Sequence, residues 1–525
     1  MNNYNIINIL KEDVFDNGLN PLLNIAILSN ELNNKQIKEL LKTDLYLSYS
    51  EDKCVLNAVD RIKLAKENNE KIFIAGDYDA DGICGTSIMK DALDIYGVEC
   101  GFYIPDRFNE GYGLNENRVY QAYEKGYSLI VTVDNGVSAY DAINLAKSLG
   151  MDVIVTDHHV IDGETNADVV VHPDYMDEKF NGLCGAGVAL QISRVLIGNN
   201  DYHTALSCIA TIGDMVPLWN ENRNIVKHGL RIINEHKYKE IDMLLDDIKE
   251  VNETDIAFKI VPKLNAMGRL PEEGNPNNIV RYYFLGDNIS NKIFMKNNIN
   301  NTNKKRQDKS NKMFNHAINL IEDKPFIVIK DKFFNEGIVG LVAGKLSNQH
   351  NKPSIVFTEK EGVLKGSGRS IKGFDLQDFL NNIFDKYLSF GGHSQAVGLS
   401  INVDDYDEFI NTIYEEYNQI EIEEVKETAY LIDENKISVD NVEKLYYLSP
   451  YGQGFKMPEF AVENFNVKSF SVLKGLYPKY ILDNFEAISF SNNKIIDKPK
   501  MLIGNLSINT FRNISKVSMI IKDIE

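Results

Sequence analysis

Four short segments, in each of which a hydrophobic run ends in carboxylates or histidines, constrain the fold of this chain more than any other feature. They are Ile72–Gly82, Leu129–Gly136, Val153–His159 and Ile209–Asp214. The first three are β-branched runs followed by amphipathic stretches, a pattern typical of buried parallel strands that alternate with helices. Ligands of an open α/β sheet bind at the carboxyl ends of its strands, so we expect these acidic and imidazole groups to meet at one edge.

A cluster of carboxylates in one place predicts bound cations. Ionised carboxylates repel one another in a buried site, and positive ions relieve that cost by neutralising them. Oxygen ligands mixed with imidazole suit Mn²⁺ or Mg²⁺, and two such ions can hold and activate a phosphodiester. The pattern therefore predicts a hydrolytic metal site.

Each of these features also has a simpler explanation when it is taken alone. A single aspartate at a strand end is more often a helix N-cap than a metal ligand. The run Asp77–Gly82 also looks like the start of an EF-hand calcium loop. Position twelve of such a loop needs a bidentate acid, whereas this sequence has Ile88 there and a strand-like run before the loop. These differences argue against a calcium loop.

The acidic segments resemble the four motifs of the DHH phosphoesterases, and the resemblance is closest to the RecJ single-strand-specific exonucleases. The matching residues are Asp77–Gly82, Asp134–Gly136, Asp157–His159 and Gly213–Asp214. Further RecJ-like segments are Pro105–Gly113, Leu183–Ala189 and Pro262–Arg269, while Gly366–Ser370 and Gly391–His393 resemble the DHH-associated domain. The resemblance extends in consistent order from about residue 20 to about residue 460.

A chain of 525 residues is too long for one hydrophobic core, and its length predicts two to four domains. The strand and helix pattern, together with the resemblance, predicts an α/β fold in five segments. They are an N-terminal helical segment (1–50), a parallel-sheet DHH domain (51–295), a connecting helix (296–320), a smaller α/β DHH-associated domain (321–425) and an OB-like nucleic-acid-binding β-barrel (426–525). Short β-rich runs themselves predict a small C-terminal barrel. The resemblance implies that the barrel is an OB fold and favours the connecting helix over a flexible linker.

Local signals predict several element boundaries. Ser138 is expected to cap a helix that ends at Gly150. In the second half, Pro325–Ile329 and Pro353–Thr358 are typical of strands, with a helix from Gly337 to Gln349 between them. The last part of the chain contains six β-rich runs, at Tyr430–Ile432, Phe465–Val467, Tyr480–Leu482, Ala487–Phe490, Met501–Ile503 and Val517–Ile521.

The resemblance implies a set of ligands for two Mn²⁺ or Mg²⁺ ions. The implied ligands are Asp79, Asp81, Asp134, His158 and Asp214. Asp79 and Asp81 would bind separate ions and Asp134 would bridge both, while the histidine and Asp214 would belong to the second ion. Some DHH enzymes have a histidine at the position of Ala75, so a ligand of the first ion is missing here or is replaced by water. Asp77 and Asp157 are expected to orient the ligands, although each could be an ordinary turn carboxylate.

The resemblance also implies residues that contact the substrate. The implied set is His159, His393 with Gly391 and Gly392, Arg107, Arg269, Ser367, Arg369 and Tyr112. Both histidines are expected to contact the scissile phosphate, and His159 could instead donate a proton or only orient ligands. The three arginines with the serine would bind a terminal 5′-phosphate, since a guanidinium matches phosphate better than an ammonium does. Tyr112 could stack on a base or simply pack its loop.

Composition indicates a cytoplasmic protein. The five cysteines are scattered without a Cys-x-x-Cys pair, which is typical of reduced thiols. No secretion signal and no bilayer-spanning apolar run is visible, so no membrane partner is expected. The net charge of −20 argues against tight non-specific binding to nucleic acid but still permits a local basic groove.

The leading prediction is a 5′-to-3′ exonuclease that degrades single-stranded DNA to 5′-mononucleotides in DNA repair or recombination. A single-strand-binding protein or a helicase would be its protein partner. The alternative is a DHH phosphodiesterase of cyclic dinucleotides or short oligoribonucleotides, which would lack the Pro105–Gly113 segment and the barrel. A metal-free DNA-binding scaffold is disfavoured, because all five implied metal ligands are present. The family pattern after Pro450 departs from RecJ at Tyr451 and Phe455–Lys456, which weakens any prediction of how the last domain contacts DNA.

Overall fold

The computed structural model describes residues 4–8, 20–40, 47, 49–246, 248–422, 425–490, 495–511 and 514–525. These residues form two compact units. The first unit contains the described residues up to Val261, together with Tyr283–Asp287 and Lys426–Glu525. The second unit contains Pro262–Tyr282 and Asn288–Val425.

The helices and strands are numbered in chain order. Up to residue 269 they are β1 (Tyr4–Asn8), α1 (Pro21–Ser29), α2 (Asn34–Leu40), α3 (Lys53–Glu67), β2 (Ile72–Ala75), α4 (Ala80–Tyr96), β3 (Cys100–Tyr103), α5 (Glu116–Glu124), β4 (Leu129–Thr132), α6 (Tyr140–Ser148), β5 (Asp152–Thr156), β6 (Val169–Val171), α7 (Gly185–Ile197), α8 (Asp201–Gly213), α9 (Asn220–Ile233), α10 (Lys239–Leu245), α11 (Glu253–Asp255) and α12 (Val261–Arg269). Up to residue 417 they are α13 (Pro276–Asn278), α14 (Ile289–Ile318), β7 (Ile327–Lys330), α15 (Val339–His350), β8 (Ser354–Lys360), β9 (Val363–Arg369), α16 (Leu376–Ile383), β10 (Ser389–His393), β11 (Ala396–Asn402) and α17 (Tyr406–Tyr417). The remainder are β12 (Glu427–Ile432), α18 (Val439–Leu445), β13 (Glu459–Glu463), β14 (Ser469–Leu473), β15 (Tyr477–Ile481), β16 (Phe485–Ser489), β17 (Met501–Phe511) and β18 (Ile514–Ile524).

The first unit contains a parallel five-stranded sheet with the order β3-β2-β4-β5-β6. The three β-branched runs of the sequence form β2, β4 and β5, which confirms the predicted parallel strands. Side chains of α5 and α6 pack with one face of this sheet in a common apolar cluster. The fourth acidic segment, Ile209–Asp214, lies at the end of α8.

The predicted N-cap residue of α6 was wrong. The N-cap residue of α6 is Ala139, not Ser138, because the Ser138 hydroxyl donates a hydrogen bond to Asp162 instead. The predicted helix stop is confirmed, since Gly150 follows the C-cap Leu149 with φ +77. Glycine adopts this left-handed conformation without steric cost.

The second unit contains a mixed five-stranded sheet with the order β10-β11-β9-β8-β7. Strands β7 and β8 are parallel and are connected through α15, whereas the other pairs are antiparallel. The two predicted strands and the helix between them correspond to these elements. The helix expected at 296–320 is α14, which begins earlier, at Ile289.

The C-terminal strands form an eight-stranded sheet with the order β1-β12-β13-β17-β18-β16-β15-β14. The prediction that the first fifty residues are helical was wrong for β1, which pairs in parallel with β12. The run Phe465–Val467 was also wrongly predicted as a strand. Among the described residues, β1 and β14 remain the two edges of the sheet, so a closed barrel is not shown.

Helices α1 and α2 share their apolar core with this C-terminal sheet. Leu22, Leu23 and Ile25 of α1 pack in one cluster with Phe460 and Leu502 of the sheet. The N-terminal helices therefore belong structurally with the last hundred residues of the chain. Within the described part of the chain, no helix combines the length and apolarity that crossing a membrane requires.

Candidate metal centre

The segment after β2 supplies three aspartates and begins α4. Asp79 is the N-cap residue, and its Oδ1 accepts hydrogen bonds from the backbone N–H groups of Asp81 and Gly82 at 2.9 and 3.1 Å. A Cβ on Gly82 would lie 2.5 Å from the carbonyl carbon and oxygen of Asp77, so only glycine fits there. The Asp-Gly pair at the start of this helix thus lets the chain fold back on Asp77.

The segment after β4 holds Asp134 in a left-handed backbone conformation, with φ +63. Such a conformation costs a non-glycine residue about 1 kcal/mol or more and persists only where neighbouring groups fix it. Asn135 is fully buried and does this, since its Nδ2 donates to the carbonyl oxygens of Ala75 and Val133. Its Oδ1 accepts from the N–H of Leu114, which also fixes the loop before α5.

The segment after β5 is organised around the buried carboxylate of Asp157. Its Oδ1 accepts from the backbone N–H of His158 and lies 2.7 Å from the Nδ1 of His159, while its Oδ2 accepts from the N–H of Val137. His172 lies behind this loop and is 3% exposed. Its Nδ1 accepts from the N–H of Asp174, so its Nε2 carries the proton that is donated to the carbonyl oxygen of His159 at 2.9 Å.

Asp81 is fixed against the first turn of α7. Its two carboxylate oxygens accept hydrogen bonds from the backbone N–H groups of Gly185 and Ala186, both at 2.7 Å. A Cβ on Gly185 would lie 2.5 Å from the Cβ of Asp134, so glycine allows α7 to approach the centre. Asp214 enters from the C-cap position of α8.

These elements bring carboxylates and imidazoles together at the carboxyl edge of the parallel sheet. The Nε2 of His158 lies 3.1 Å from Asp134 Oδ1, 3.6 Å from Asp214 Oδ2 and 3.7 Å from Asp81 Oδ2. Among the described residues, three groups each offer three ligand atoms within 4.8 Å of one another. They are Asp77 with Asp79 and Asp134, Asp81 with His158 and Asp214, and Asp134 with His158 and His159. The predicted convergence is therefore present.

The charge of this cluster favours bound cations. Burial and neighbouring carboxylates raise the pKa of Asp77, Asp79 and Asp134 above the usual range, and the same causes raise the pKa of Asp214 to about 8. Burial lowers the pKa of His158, which keeps its imidazole neutral. Positive ions would allow the carboxylates to ionise together.

Buried atoms without partners support the same conclusion. Asp77 Oδ1, Asp134 Oδ1 and His158 Nε2 are buried and make no hydrogen bond with any residue that the structure describes. Buried polar atoms are normally paired, and metal coordination is one way to satisfy them. Carboxylate oxygens with neutral imidazole suit Mn²⁺ or Mg²⁺, so these residues fit the predicted ions.

His159 differs from its neighbour because it is charged. Burial opposes the charge, but the hydrogen bond and the negative charge of Asp157 raise the pKa of His159 to about 9. The same interaction overcomes burial and lowers the pKa of Asp157. At neutral pH an imidazolium beside the carboxylate cluster offers a hydrogen-bond donor to an anionic group.

Tyr112 and Arg107 border the centre in the first unit. The Tyr112 hydroxyl donates to the carbonyl oxygen of Asp134 at 2.8 Å, and its ring lies 5.6 Å from that of His159. The Tyr112 residue is 49% exposed, so it is partly accessible to a ligand. The Arg107 guanidinium lies 5.1 Å from the centre of the Tyr78 ring, which in turn contacts Tyr112 edge-on.

The other predicted substrate residues lie in the second unit, where three of them meet at the start of α15. Arg369 Nη1 donates to Ser367 Oγ at 2.8 Å, and Arg269 Nη1 donates to the carbonyl oxygen of Gly337 at 3.4 Å. A Cβ on Gly340 would lie 3.0 Å from Ser367 Oγ and 3.1 Å from Arg369 Nη2. Arg269, Ser367 and Arg369 thus surround the first turn of this helix.

His393 ends β10 and is exposed, in the hairpin with β11. Gly391 opens this part of the strand with free space around it, while Gly392 has φ +145 and lies against the carbonyl oxygen of Ala396. A side chain at Gly392 would clash with that oxygen at 2.3 Å. The hairpin therefore needs its second glycine, and the predicted role of His393 stays a prediction.

Sequence reasoning missed two residues that position the centre, Asn135 and His172. Asn135 lies in the Asp134–Gly136 motif, but only the fold shows that its side chain connects β2, the end of β4 and the loop before α5. His172 directly follows β6, so the rule that parallel strands carry functional groups at their carboxyl ends could have found it.

Comparisons with known proteins agree with this architecture. Three family models match the chain: the DHH family N-terminal domain over residues 71–213, the DHHA1 domain over 323–419 and the RecJ OB domain over 430–523. A protein of Dickeya dadantii named single-stranded-DNA-specific exonuclease RecJ is 31% identical over 77% of each chain. A Bacillus subtilis protein of the same name is 35% identical over 90% of this chain, which spans 63% of that relative's length.

Solved structures show the same fold. The crystal structure of Thermus thermophilus RecJ with Mn²⁺ matches 99% of this chain and 78% of its own, with a TM-score of 0.84 at 23% identity. A structure of exonuclease RecJ bound to manganese matches 72% of this chain and 97% of its own, with a TM-score of 0.62 at 27% identity.

Proposed function

This chain belongs to the RecJ family of single-stranded-DNA-specific exonucleases, and we propose that it hydrolyses single-stranded DNA from the 5′ end with two Mn²⁺ or Mg²⁺ ions. The observation that carries the proposal is the cluster of Asp134, His158 and their acidic neighbours, whose buried atoms lack protein partners. The alternative, a phosphodiesterase of cyclic dinucleotides or short RNA, is not favoured, since the relatives and the OB domain match are RecJ.

The grouping of ligand atoms supports two cation positions. Asp81, His158 and Asp214 would hold one ion, and Asp79 with Asp134 would hold the other. Asp77 groups with Asp79 and Asp134, so it can supply the ligand that Ala75 lacks, which goes beyond the orienting role expected from the sequence. Two divalent ions there would provide a nucleophile at neutral pH and stabilise negative charge at the phosphorus.

The chain's own residues orient the substrate. The His159 imidazolium, held by Asp157 and by the His172 hydrogen bond to its backbone, donates to a non-bridging oxygen of the scissile phosphate. The neutral Tyr112 keeps its hydroxyl on the Asp134 backbone and offers its ring to a base. Arg107 attracts the phosphate backbone in the same unit.

Arg269, Ser367 and Arg369 form the pocket for the terminal 5′-phosphate. A guanidinium fork with an adjacent hydroxyl matches a phosphate monoester. Cleavage of the bond between phosphorus and the 3′-oxygen of the first nucleotide then releases a 5′-mononucleotide. The remaining strand keeps a new 5′-phosphate, so each product presents the same end again.

A comparison of substrates tests the proposal. Purified protein should shorten single-stranded DNA in the presence of Mn²⁺ and show no turnover when the metal is chelated. A dinucleotide and a cyclic dinucleotide, offered at the same concentration, should be cleaved much more slowly. Faster cleavage of the dinucleotides would contradict the proposal.

The cellular setting is part of the proposal. The cysteines among the described residues are free thiols, which agrees with a reducing compartment such as the cytoplasm. Such an exonuclease would act in DNA repair and recombination and would receive its strand from a single-strand-binding protein or a helicase. Copurification of the tagged full chain with either protein would test this. A partner that is lost after nuclease treatment is bridged by DNA, whereas one that remains contacts the protein directly.

A further inference from the structure

Helix α14 carries a cation in the middle of its buried stripe. The buried residues of this helix are Met295, Ile299, Thr302, Ser310, Met313 and Ala317. Their spacing of three and four residues defines one face, and the same spacing places Arg306 between Thr302 and Ser310 at the centre of that face. Met313 and Ala317 pack with Val342 and Leu346 of α15, so the stripe faces that helix.

Arg306 is half-buried and is not neutralised by a carboxylate. Its Nε donates to the side-chain oxygen of Asn303 at 3.0 Å, and burial lowers its pKa. Among the residues that the structure describes, it forms no ion pair. The two flanking lysines differ, because Lys305 pairs with Glu273 and Lys309 pairs with Glu272. A half-buried arginine without an acid retains donors for an external anion.

Two neighbouring groups add to this unmatched polarity. Lys345 of α15 reaches across to α14, where its Nζ donates to Asn311 Oδ1 at 2.9 Å and lies 5.6 Å from the Phe314 ring centre. Partial burial and the positive charge of Arg306 lower the pKa of Lys345. The Ser310 hydroxyl, one turn beyond Arg306, is 3% exposed and has no hydrogen-bond partner in the described structure.

Helix α15, which carries Lys345, also borders the pocket already assigned to the 5′-phosphate. Arg369 runs beside α15, with its Cγ 3.8 Å from the Cβ position of Gly344 and its Nη2 3.1 Å from that of Gly340. Lys345 is the next residue after Gly344 on the same helix. Helix α15 therefore carries Lys345 directly after a residue that borders Arg369, and neither Lys345 nor Arg306 forms an ion pair with an acidic group among the described residues.

We propose that Arg306 and Lys345 form a second phosphate subsite, which binds an internal phosphodiester of the single strand. The inference rests on the proposed function and adds a contact that is separate from the 5′-terminal pocket. One anionic phosphate between these two cations would form charge-assisted hydrogen bonds with both, which is more favourable than leaving them without a counter-charge. The subsite would fix the register of the strand while Arg269, Ser367 and Arg369 bind its end.

Binding of the full chain to fluorescent single strands of about 20 nucleotides tests the subsite. The measurement uses Ca²⁺ or no metal, so cleavage does not enter, and compares Arg306→Gln, Lys345→Gln and the wild type at several salt concentrations. Each variant should bind roughly tenfold more weakly, since it loses one charge-assisted hydrogen bond. Each should also lower the salt slope by about 0.7, the value for one phosphate contact on a single strand.

Two comparisons make the outcome decisive. Lys304→Gln is the matched control, because Lys304 is exposed and helical spacing places it on the opposite face of α14; its affinity and slope should equal those of the wild type. The loss in the Arg306 and Lys345 variants should be equal for strands with a 5′-phosphate and a 5′-hydroxyl. A loss confined to 5′-phosphorylated strands, or an unchanged slope, would overturn the internal subsite.

The same data distinguish this inference from the proposed function. Wild-type protein that binds no single-stranded DNA would contradict both. Wild-type protein that binds with a normal salt slope, together with variants that match it, would contradict only the subsite. Lys345→Gln alters an exposed side chain, so its result stands even where Arg306→Gln lowers the melting temperature.

Discussion

At the scale of single residues, Asp134 depends on glycine and asparagine neighbours to present its carboxylate. Its φ of +63 is fixed by the Asn135 side chain, and Gly185 leaves the space in which its Cβ lies. Its Oδ1 is one of the buried atoms that lack a partner among the described residues. A buried carboxylate oxygen without a protein partner, on a backbone fixed by its neighbours, fits the metal-bridging position that we propose for Asp134.

Asp134→Asn should abolish hydrolysis while leaving the fold intact. Asparagine tolerates the left-handed backbone and keeps the side-chain shape, but it removes the negative charge that two ions would share. We expect kcat on single-stranded DNA with Mn²⁺ to fall by more than about a hundredfold. Asp60→Asn, at an exposed position on α3, is the control and should retain full activity. Normal turnover by a folded Asp134→Asn protein would contradict the two-ion assignment.

The raised pKa of Asp214 predicts how metal and pH together affect stability. Its pKa is about 8 in the folded metal-free protein and about 4 in an unfolded chain. Between about pH 4 and about pH 8, Asp214 therefore keeps its proton in the folded protein and has lost it in the unfolded chain. The contribution of this group to the free energy of unfolding is therefore greatest below about pH 4 and falls as the pH rises from about 4 to about 8. Asp77, Asp79 and Asp134 shift in the same direction.

Bound cations remove this penalty, so the increase in melting temperature caused by Mg²⁺ should be larger at about pH 8 than at about pH 5.5. Thermal denaturation with and without Mg²⁺ at both pH values measures this increase in melting temperature. The Asp134→Asn substitution should make the increase smaller. An equal increase at both pH values would show that the carboxylates do not titrate with the bound ions.

At the scale of elements, the predicted strands β2, β4 and β5 follow directly from local sequence. Each is a short β-branched run buried on both faces, so hydrophobicity alone identifies it. Strand β1 was missed because it pairs with β12, more than 400 residues away, and no local pattern reports that contact. Ser138 does not cap α6, because its hydroxyl donates a hydrogen bond to Asp162 in a later loop.

The candidate site divides in the same way. The family resemblance implied which aspartates and histidines are metal ligands, and the rule that parallel strand ends meet at one edge predicted that these groups come together. The contributions of Asn135 and His172, and the role that we propose for Arg306, could not be predicted from the sequence. Each depends on contacts that only the folded chain makes. The periodicity of α14 did carry a signal for Arg306, once the buried stripe was known.

Two glycines of α15 offer a matched test of the 5′-phosphate pocket. A Cβ at Gly340 would crowd Ser367 and Arg369 at 3.0 and 3.1 Å, whereas a Cβ at Gly344 would meet only Arg369 Cγ at an ordinary 3.8 Å. Gly340→Ala should therefore weaken the preference for 5′-phosphorylated over 5′-hydroxyl strands, measured as the ratio of kcat/KM. Gly344→Ala should keep that ratio and stabilise the protein by about 0.5–1 kcal/mol through helix propensity. Identical ratios in both variants would argue that phosphate binds elsewhere.

At the scale of the whole molecule, the C-terminal sheet is not a removable appendage. The buried Arg223 of α9 donates to the carbonyl oxygens of Leu448 and Pro450, and Glu253 accepts from the N–H of Tyr451. Deleting the residues after 425 would leave this cation without its acceptors and would expose the apolar side chains of α1. Such a truncation should aggregate, so it cannot report on DNA binding by the last domain.

The proposed polarity of degradation depends on both the proposed metal centre and the proposed 5′-phosphate pocket. Arg269, Ser367 and Arg369 would select a phosphorylated 5′ end, and the aspartates with His158 would cleave the next phosphodiester. A 5′-labelled strand should therefore release a labelled mononucleotide as its first product, while a 3′-labelled strand should shorten step by step. A blunt duplex of the same sequence should resist, because exposing a base to Tyr112 requires unpairing at a cost of a few kcal/mol per base. Resolving the products of both labelled strands on a denaturing gel measures the polarity. Mononucleotides released first from the 3′ end would contradict both the pocket and the direction that we assign to the enzyme.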